Sequence, residues 1–124
     1  VNLWDPASAD GYFTTDFNTQ TISFKKETSD KMMFLVVNAN VDWEIVDEAQ
    51  NKVLSLETNF FVRDWLMITQ RKGRMYFKYN SIPYGISIYV KSANTTGKDR
   101  SARLILRNKI NHNQQTVVTI TQKG

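Results

Sequence analysis

Cysteine is absent from this 124-residue chain. Its absence excludes disulfides, thiolate metal sites, iron–sulfur clusters and a thiol nucleophile together. Histidine is nearly absent too. His112, the single one, sits in the polar stretch Asn111-His112-Asn113, where an exposed turn residue is expected rather than the base of a Ser–His–acid arrangement. A metal site built from several histidines is therefore impossible, and no acidic run has the calcium-loop spacing with its central Gly. Glu44, Asp47, Glu48 and Glu57 supply carboxylates for a hydrolytic pair, yet they fall along strand edges and turns with no visible pocket. The longest apolar run, Met32 to Val37, has the length of a strand and not of a bilayer span. We expect a protein that is not an enzyme and holds no cofactor or metal.

What the chain does contain is an ordinary globular composition, 41% hydrophobic and 23% charged. Its length suits one domain, and folding at this size removes about two-thirds of the extended chain's surface from water. The net charge of +4 is unevenly spread. Residues 1–62 carry four basic and ten acidic side chains, a balance of −6, whereas residues 63–124 carry twelve basic and two acidic ones, a balance of +10. Either the two halves attract each other across the folded surface, or the basic half meets an anionic partner.

Apolar residues alternate with period two, punctuated by Gly, Asn, Asp and Pro, with little sign of period 3.6. Residues 1–19, with turn signals at Asp5-Pro6 and Asp10-Gly11, read as an arm or linker, and residues 20–124 as the folded domain. Strands are expected at Thr21–Lys26, Met32–Ala39, Asp42–Val46 and Val53–Leu56, with residues 48–51 as a turn. A short helix through 47–56 is the alternative for that stretch. Phe60–Ile68 and Arg74–Tyr79 read as a hairpin about Lys72-Gly73, and residues 80–85, with Pro83, as a loop. Gly85–Ser92, Ala102–Arg107 and Thr116–Gln122 complete the count. Eight or nine short strands at this spacing favour an all-β sandwich or barrel. Alternation sends Met75, Phe77, Tyr79, Ile86, Ile88, Val90, Ala102, Leu104, Leu106, Val118 and Ile120 inward. The last four strands are expected to share one inner apolar face. Trp43, entering a central strand, and Trp65, before Leu66 and Ile68, read as core residues. Trp4 lies in the arm.

Two stretches carry more than periodicity. One is Val36-Val37-Asn38-Ala39-Asn40-Val41-Asp42-Trp43-Glu44-Ile45, a strand, a polar turn and an Asp-Trp pair entering the next strand. The other runs from Ile86-Ser87-Ile88-Tyr89-Val90 through Asn94 and Arg100-Ser101-Ala102 to Thr121-Gln122-Lys123-Gly124. With Trp65 as a second tryptophan, this order resembles the BACON domain, the Bacteroidetes-associated, carbohydrate-binding, often N-terminal module. The resemblance spans residues ~20–124. It implies an immunoglobulin-like antiparallel β-sandwich of about 7–9 strands. It also implies a secreted or cell-surface bacterial protein, extracellular or periplasmic, anchored as an outer-membrane lipoprotein through a segment outside this sequence. The chain begins at Val1 rather than Met, and any export signal is expected upstream.

For a ligand, the best surface in the sequence is the outer sheet face formed by Arg74, Tyr76, Lys78, Tyr89, Lys91, Arg103 and Arg107. Aromatic rings stack on sugar rings, and guanidinium groups chelate carboxylate or sulfate, so acidic glycans suit this face. The bland alternative is a two-sided sheet with strand-favouring Tyr and solubilising Lys and Arg outside. A second candidate is the loop 94–100, whose bland reading is a turn with Gly97 at a positive backbone angle and Arg100 as its anchor. Asn94-Thr95-Thr96 is formally a glycosylation sequon. The expected partners are a glycan and neighbouring domains of the same chain or surface complex, with no nucleic acid and no membrane insertion by this fragment, which should be monomeric. A spacer without a ligand and a protein–protein module are the rival functions.

Overall fold

The alternating pattern folds as strands throughout the computed structural model, which describes residues 2–3, 20–39, 41–54, 60–70, 74–76, 81–83 and 85–124. In chain order the strands are β1 (Asn2–Leu3), β2 (Gln20–Phe24), β3 (Lys31–Val36), β4 (Asn38–Ala39), β5 (Trp43–Asp47), β6 (Lys52–Leu54) and β7 (Phe60–Arg63). They continue as β8 (Leu66–Gln70), β9 (Arg74–Tyr76), β10 (Ser81–Pro83), β11 (Gly85–Val90), β12 (Arg100–Asn108) and β13 (Gln115–Gln122). There is no helix among the described residues. The stretch 48–51 is the expected turn, with Asn51 at φ 50°, a left-handed conformation that Asn tolerates better than most residues. Strand β6 follows it, which removes the helical alternative for 47–56.

Nine of these strands form two sheets, ordered β2-β13-β12-β5-β6 and β3-β11-β8-β7. All pairings within them are antiparallel except β2 with β13, which run parallel. The chain crosses from one sheet to the other four times, between β2 and β3, β3 and β5, β6 and β7, and β11 and β12, as a Greek-key sandwich does. Inward residues of both sheets meet in one core, including Leu35, Ile86, Ile88, Val90, Leu66 and Ile68 from one layer. Trp43, Ile45, Ala102, Leu104, Leu106, Val118 and Ile120 face them from the other. Trp43 is buried on β5, an interior strand of the five-stranded layer. This strand order, with a core tryptophan on the third sandwich strand, is that of an immunoglobulin-like β-sandwich.

Three expectations about strand pairing are corrected. Phe60–Ile68 is not one strand but the hairpin β7–β8, turning at Asp64-Trp65 with an irregular register between Phe61 and Arg63. Trp65 leaves the strand there and packs its ring into the end of the core, where burial of so large a side chain outweighs another ladder rung. Next, β9 pairs with β10 in a separate two-stranded ladder, so Ser81–Pro83 is strand rather than loop; Pro83 is tolerable there because a two-stranded ladder leaves one side of each strand unpaired. Finally, the later strands do not share one sheet face. β12 and β13 lie in the five-stranded layer, β11 in the four-stranded layer, and β9 in neither. Side-chain alternation reports in or out, and either layer satisfies it.

The beginning of the arm is strand as well, since Asn2 and Leu3 pair in parallel with Asn38 and Ala39. Trp4 and the remainder of the arm to Thr19 lie outside the described residues, as do Phe77, Lys78 and Tyr79.

Candidate functional site

The two outer faces differ in chemistry. On the five-stranded layer, the acids of β5 and its flanks sit beside the bases of β12. Two guanidinium nitrogens of Arg107 hold Glu44 Oε2, each at 2.8 Å, and both side chains are largely buried. Arg103 reaches Glu48 at 3.3 Å and Lys109 reaches Asp42 at 3.9 Å. Every one of these acids comes from the acidic half of the chain and every base from the basic half. Part of the charge asymmetry of the sequence is thus paired between adjacent strands. Of its two readings, mutual attraction of the halves is the one these pairs support.

The outer face of the four-stranded layer is different. Register places Met32 of β3, Tyr89 of β11, Met67 of β8 and Phe61 of β7 directly opposite one another in a row across all four strands. Met32 is 54% exposed and Phe61 51% exposed. The next row on the same face reads Phe34, Ser87, Thr69, and exposed Val36 follows opposite Gly85. Gly85 is required at that point. A Cβ there would run into the Phe34 ring and come within 2.6 Å of the Leu35 carbonyl oxygen. Two polar groups frame the first row. The Tyr89 hydroxyl donates to the Asp30 carboxylate, which pushes the phenol pKa above its ordinary value. Lys91 Nζ lies 5.3 Å from the centre of the Phe61 ring, within cation–π range.

Buried polar groups close the ends and edges of the sandwich. Gln122 is fully buried, and its amide nitrogen lies 3.0 Å from Thr28 O and 3.1 Å from Ser92 O. Its Oε1 accepts from Arg100 Nε at 3.0 Å and from a terminal Arg100 nitrogen at 2.7 Å. The same guanidinium stacks 4.8 Å from the Trp65 ring and donates to Ser92 O at 3.0 Å. Removal of Arg100 from water lowers its pKa from the ordinary guanidinium value. Asn94 completes this end: its backbone N–H donates to Lys26 O at 2.8 Å and its amide nitrogen to Gln122 O at 3.2 Å. The loop 94–100 is therefore tied down, with Gly97 at φ 79° and Arg100 as its anchor. At the opposite end, Asn108 Oδ1 accepts from the backbone N–H groups of Ile110 and Asn111 at 2.9 and 3.2 Å. His112 is exposed in that turn, beside Lys109 O at 3.1 Å.

The residues expected on one outer face are thus distributed over several surfaces. Tyr89 and Lys91 share the four-stranded face. Arg103 and Arg107 point away from it on the other layer, already paired with Glu48 and Glu44. Arg74 and Tyr76 belong to β9, and Lys78 lies outside the described residues. Phe61, Met32 and Met67 were not anticipated. The double aromatic Phe60-Phe61 and the pair Met32-Met33 are visible signals, but which member faces outward follows from register alone. No group of three acidic or histidine side chains among the described residues is placed to hold a metal ion. Comparison with protein-family models, with curated proteins and with solved structures finds no match to this chain.

Proposed function

We propose that this domain is a non-catalytic accessory module of an exported or surface-attached bacterial protein, BACON-like in kind, that engages carbohydrate on the outer face of its four-stranded sheet. The observation that carries the reading is the row Met32, Tyr89, Met67, Phe61, which sets two aromatic rings at a two-strand separation on a sheet face with exposed apolar neighbours. Strands lie about 4.8 Å apart, so the backbone positions that carry Tyr89 and Phe61 are spaced by about 10 Å, a span on the scale of sugar units along an extended glycan. Aromatic faces bind the C–H faces of sugar rings by burying apolar area, and the Tyr89–Asp30 pair and Lys91 offer polar partners for hydroxyl groups at the border. With Arg103 and Arg107 turned away and neutralised, ring stacking replaces chelation of acidic groups as the main source of affinity. Neutral glycans fit this face better than acidic ones.

A glycan array followed by calorimetric titration of the hits tests the proposal, with Tyr89→Ala and Phe61→Ala as the decisive variants. Loss of binding in both, with unchanged thermal unfolding, supports it. A second reading has its own observation. Exposed Met32 and Val36 on strand β3 extend the apolar surface to the sheet margin, as a contact with a neighbouring protein domain would use. An array without hits favours that reading or a ligand-free spacer.

A further inference from the structure

We infer that the sequon Asn94-Thr95-Thr96 is closed by the fold, so that glycan attachment at Asn94 and the native end of the sandwich exclude each other. Asn94 is only 5% exposed. Its amide nitrogen has two hydrogens, and both are committed: Nδ2 donates to Lys98 O at 2.7 Å and to Gln122 O at 3.2 Å. Its Oδ1 accepts from Thr96 N at 3.0 Å and Thr96 Oγ1 at 2.7 Å. No lone pair or proton of the side chain is left to face solvent.

Glycosylation would take an oligosaccharide from a lipid-linked pyrophosphate donor. A C–N bond forms between Nδ2 and the anomeric carbon, the C–O bond to pyrophosphate breaks, and one amide proton leaves to a base. The product keeps one N–H where the fold uses two. It also puts a sugar ring on a nitrogen packed between Lys98 O and Gln122 O, next to a side chain that is itself fully buried and holds Arg100. The carbonyl that loses its donor is left unsatisfied in a buried setting, which opposes the native arrangement.

The consequence concerns the route this chain travels. In a compartment where Asn-x-Thr is modified during translocation, before the chain folds, the modified chain cannot complete this end. The domain fits an export route without such a transferase, a conclusion that rests on the Asn94 geometry and not on the glycan-binding proposal. The test incubates the folded chain, and separately a synthetic peptide covering residues 90–100, with a eukaryotic-type oligosaccharyltransferase and lipid-linked oligosaccharide. Modification is read by intact mass. The peptide should be modified, and the folded chain at least about a hundredfold more slowly, because reaction must wait for local opening. In a eukaryotic secretory host, the secreted folded chain should carry the unmodified mass, with any glycosylated chain confined to the retained, misfolded fraction. A folded chain glycosylated at Asn94 with an unchanged melting temperature would overturn the inference. So would a peptide that resists the enzyme as fully as the folded chain does.

Discussion

Asp47 and Arg63 join the two layers of the sandwich through a carboxylate that is fully buried and a guanidinium that reaches it at 2.8 Å. Asp47 ends β5 in the five-stranded layer and Arg63 ends β7 in the four-stranded one. A second guanidinium nitrogen lies 3.3 Å from the other carboxylate oxygen, and Ala49 N donates to the same oxygen at 3.2 Å. On the same edge, Lys52 of β6 lies 5.3 Å from the ring of Phe60 on β7.

Removing one partner leaves the other charge without compensation. Arg63 keeps some access to water, but Asp47 has none. Asp47→Ala is expected to cost about 3–5 kcal/mol, read as a lower urea midpoint with an unchanged slope. Arg63→Met alone, which strands the carboxylate, should cost a similar amount. The double variant with Asp47→Leu should recover part of the loss.

Gln122→Ala should destabilise the opposite end by about 2–4 kcal/mol, because it leaves the Thr28 carbonyl without the Gln122 donor, Ser92 O with the Arg100 donor alone, and Arg100 short of an acceptor. Amide exchange would localise the effect. Protection should fall at Thr28, Asn94 and Lys123 while the centre of β12 keeps its slow exchange. Uniform loss of protection over the whole sheet would contradict the closed-end role.

On the outer face, Tyr89→Ala and Phe61→Ala should each weaken binding to a glycan hit by about tenfold or more, the equivalent of 1.4 kcal/mol. Arg103→Glu and Arg107→Glu lie on the other layer and should leave that affinity unchanged. If the arginine variants lose binding and the aromatic variants keep it, the ligand sits on the five-stranded face.

Tyr89 gives a pH signature. Its hydrogen bond to Asp30 favours the neutral phenol in the folded state, so the folded pKa lies above the unfolded one. The stability it contributes is complete below the ordinary phenol pKa of about 10 and disappears as the pH rises through the higher folded value. The ring-carbon chemical shift of Tyr89 should therefore titrate above the ordinary phenol range in the wild type. It should move back toward that range in Asp30→Ala.

Much of the layer structure was legible from alternation alone. Ile86, Ile88, Val90, Leu104, Leu106, Val118 and Ile120 are buried as their positions imply, and Trp43 and Trp65 are both in the core. Period two reports which way a side chain points, but not which strand lies beside it. That is why Tyr89 and Arg103, both outward, could be placed on one face while the fold sets them on opposite ones. The charge pairing hid in the same way: Glu44 and Arg107 are sixty-three residues apart in sequence and adjacent in the sheet. Residues carrying the family resemblance had a different fate. Trp65, Asn94, Arg100 and Gln122, scattered over the second half of the chain, converge on the closed end of the sandwich. They bond to carbonyls and to each other, and so seal this end of the sandwich.

The parallel pairing of β2 with β13 has a mechanical consequence. Gln20 lies beside Val118 and Phe24 beside Gln122, so tension pulling residue 20 one way and residue 122 the other slides the two strands lengthwise. All five rungs then share the load at once instead of opening in succession from one end. Single-molecule stretching between attachment points placed at these residues should show one abrupt, high-force rupture rather than a gradual unzipping.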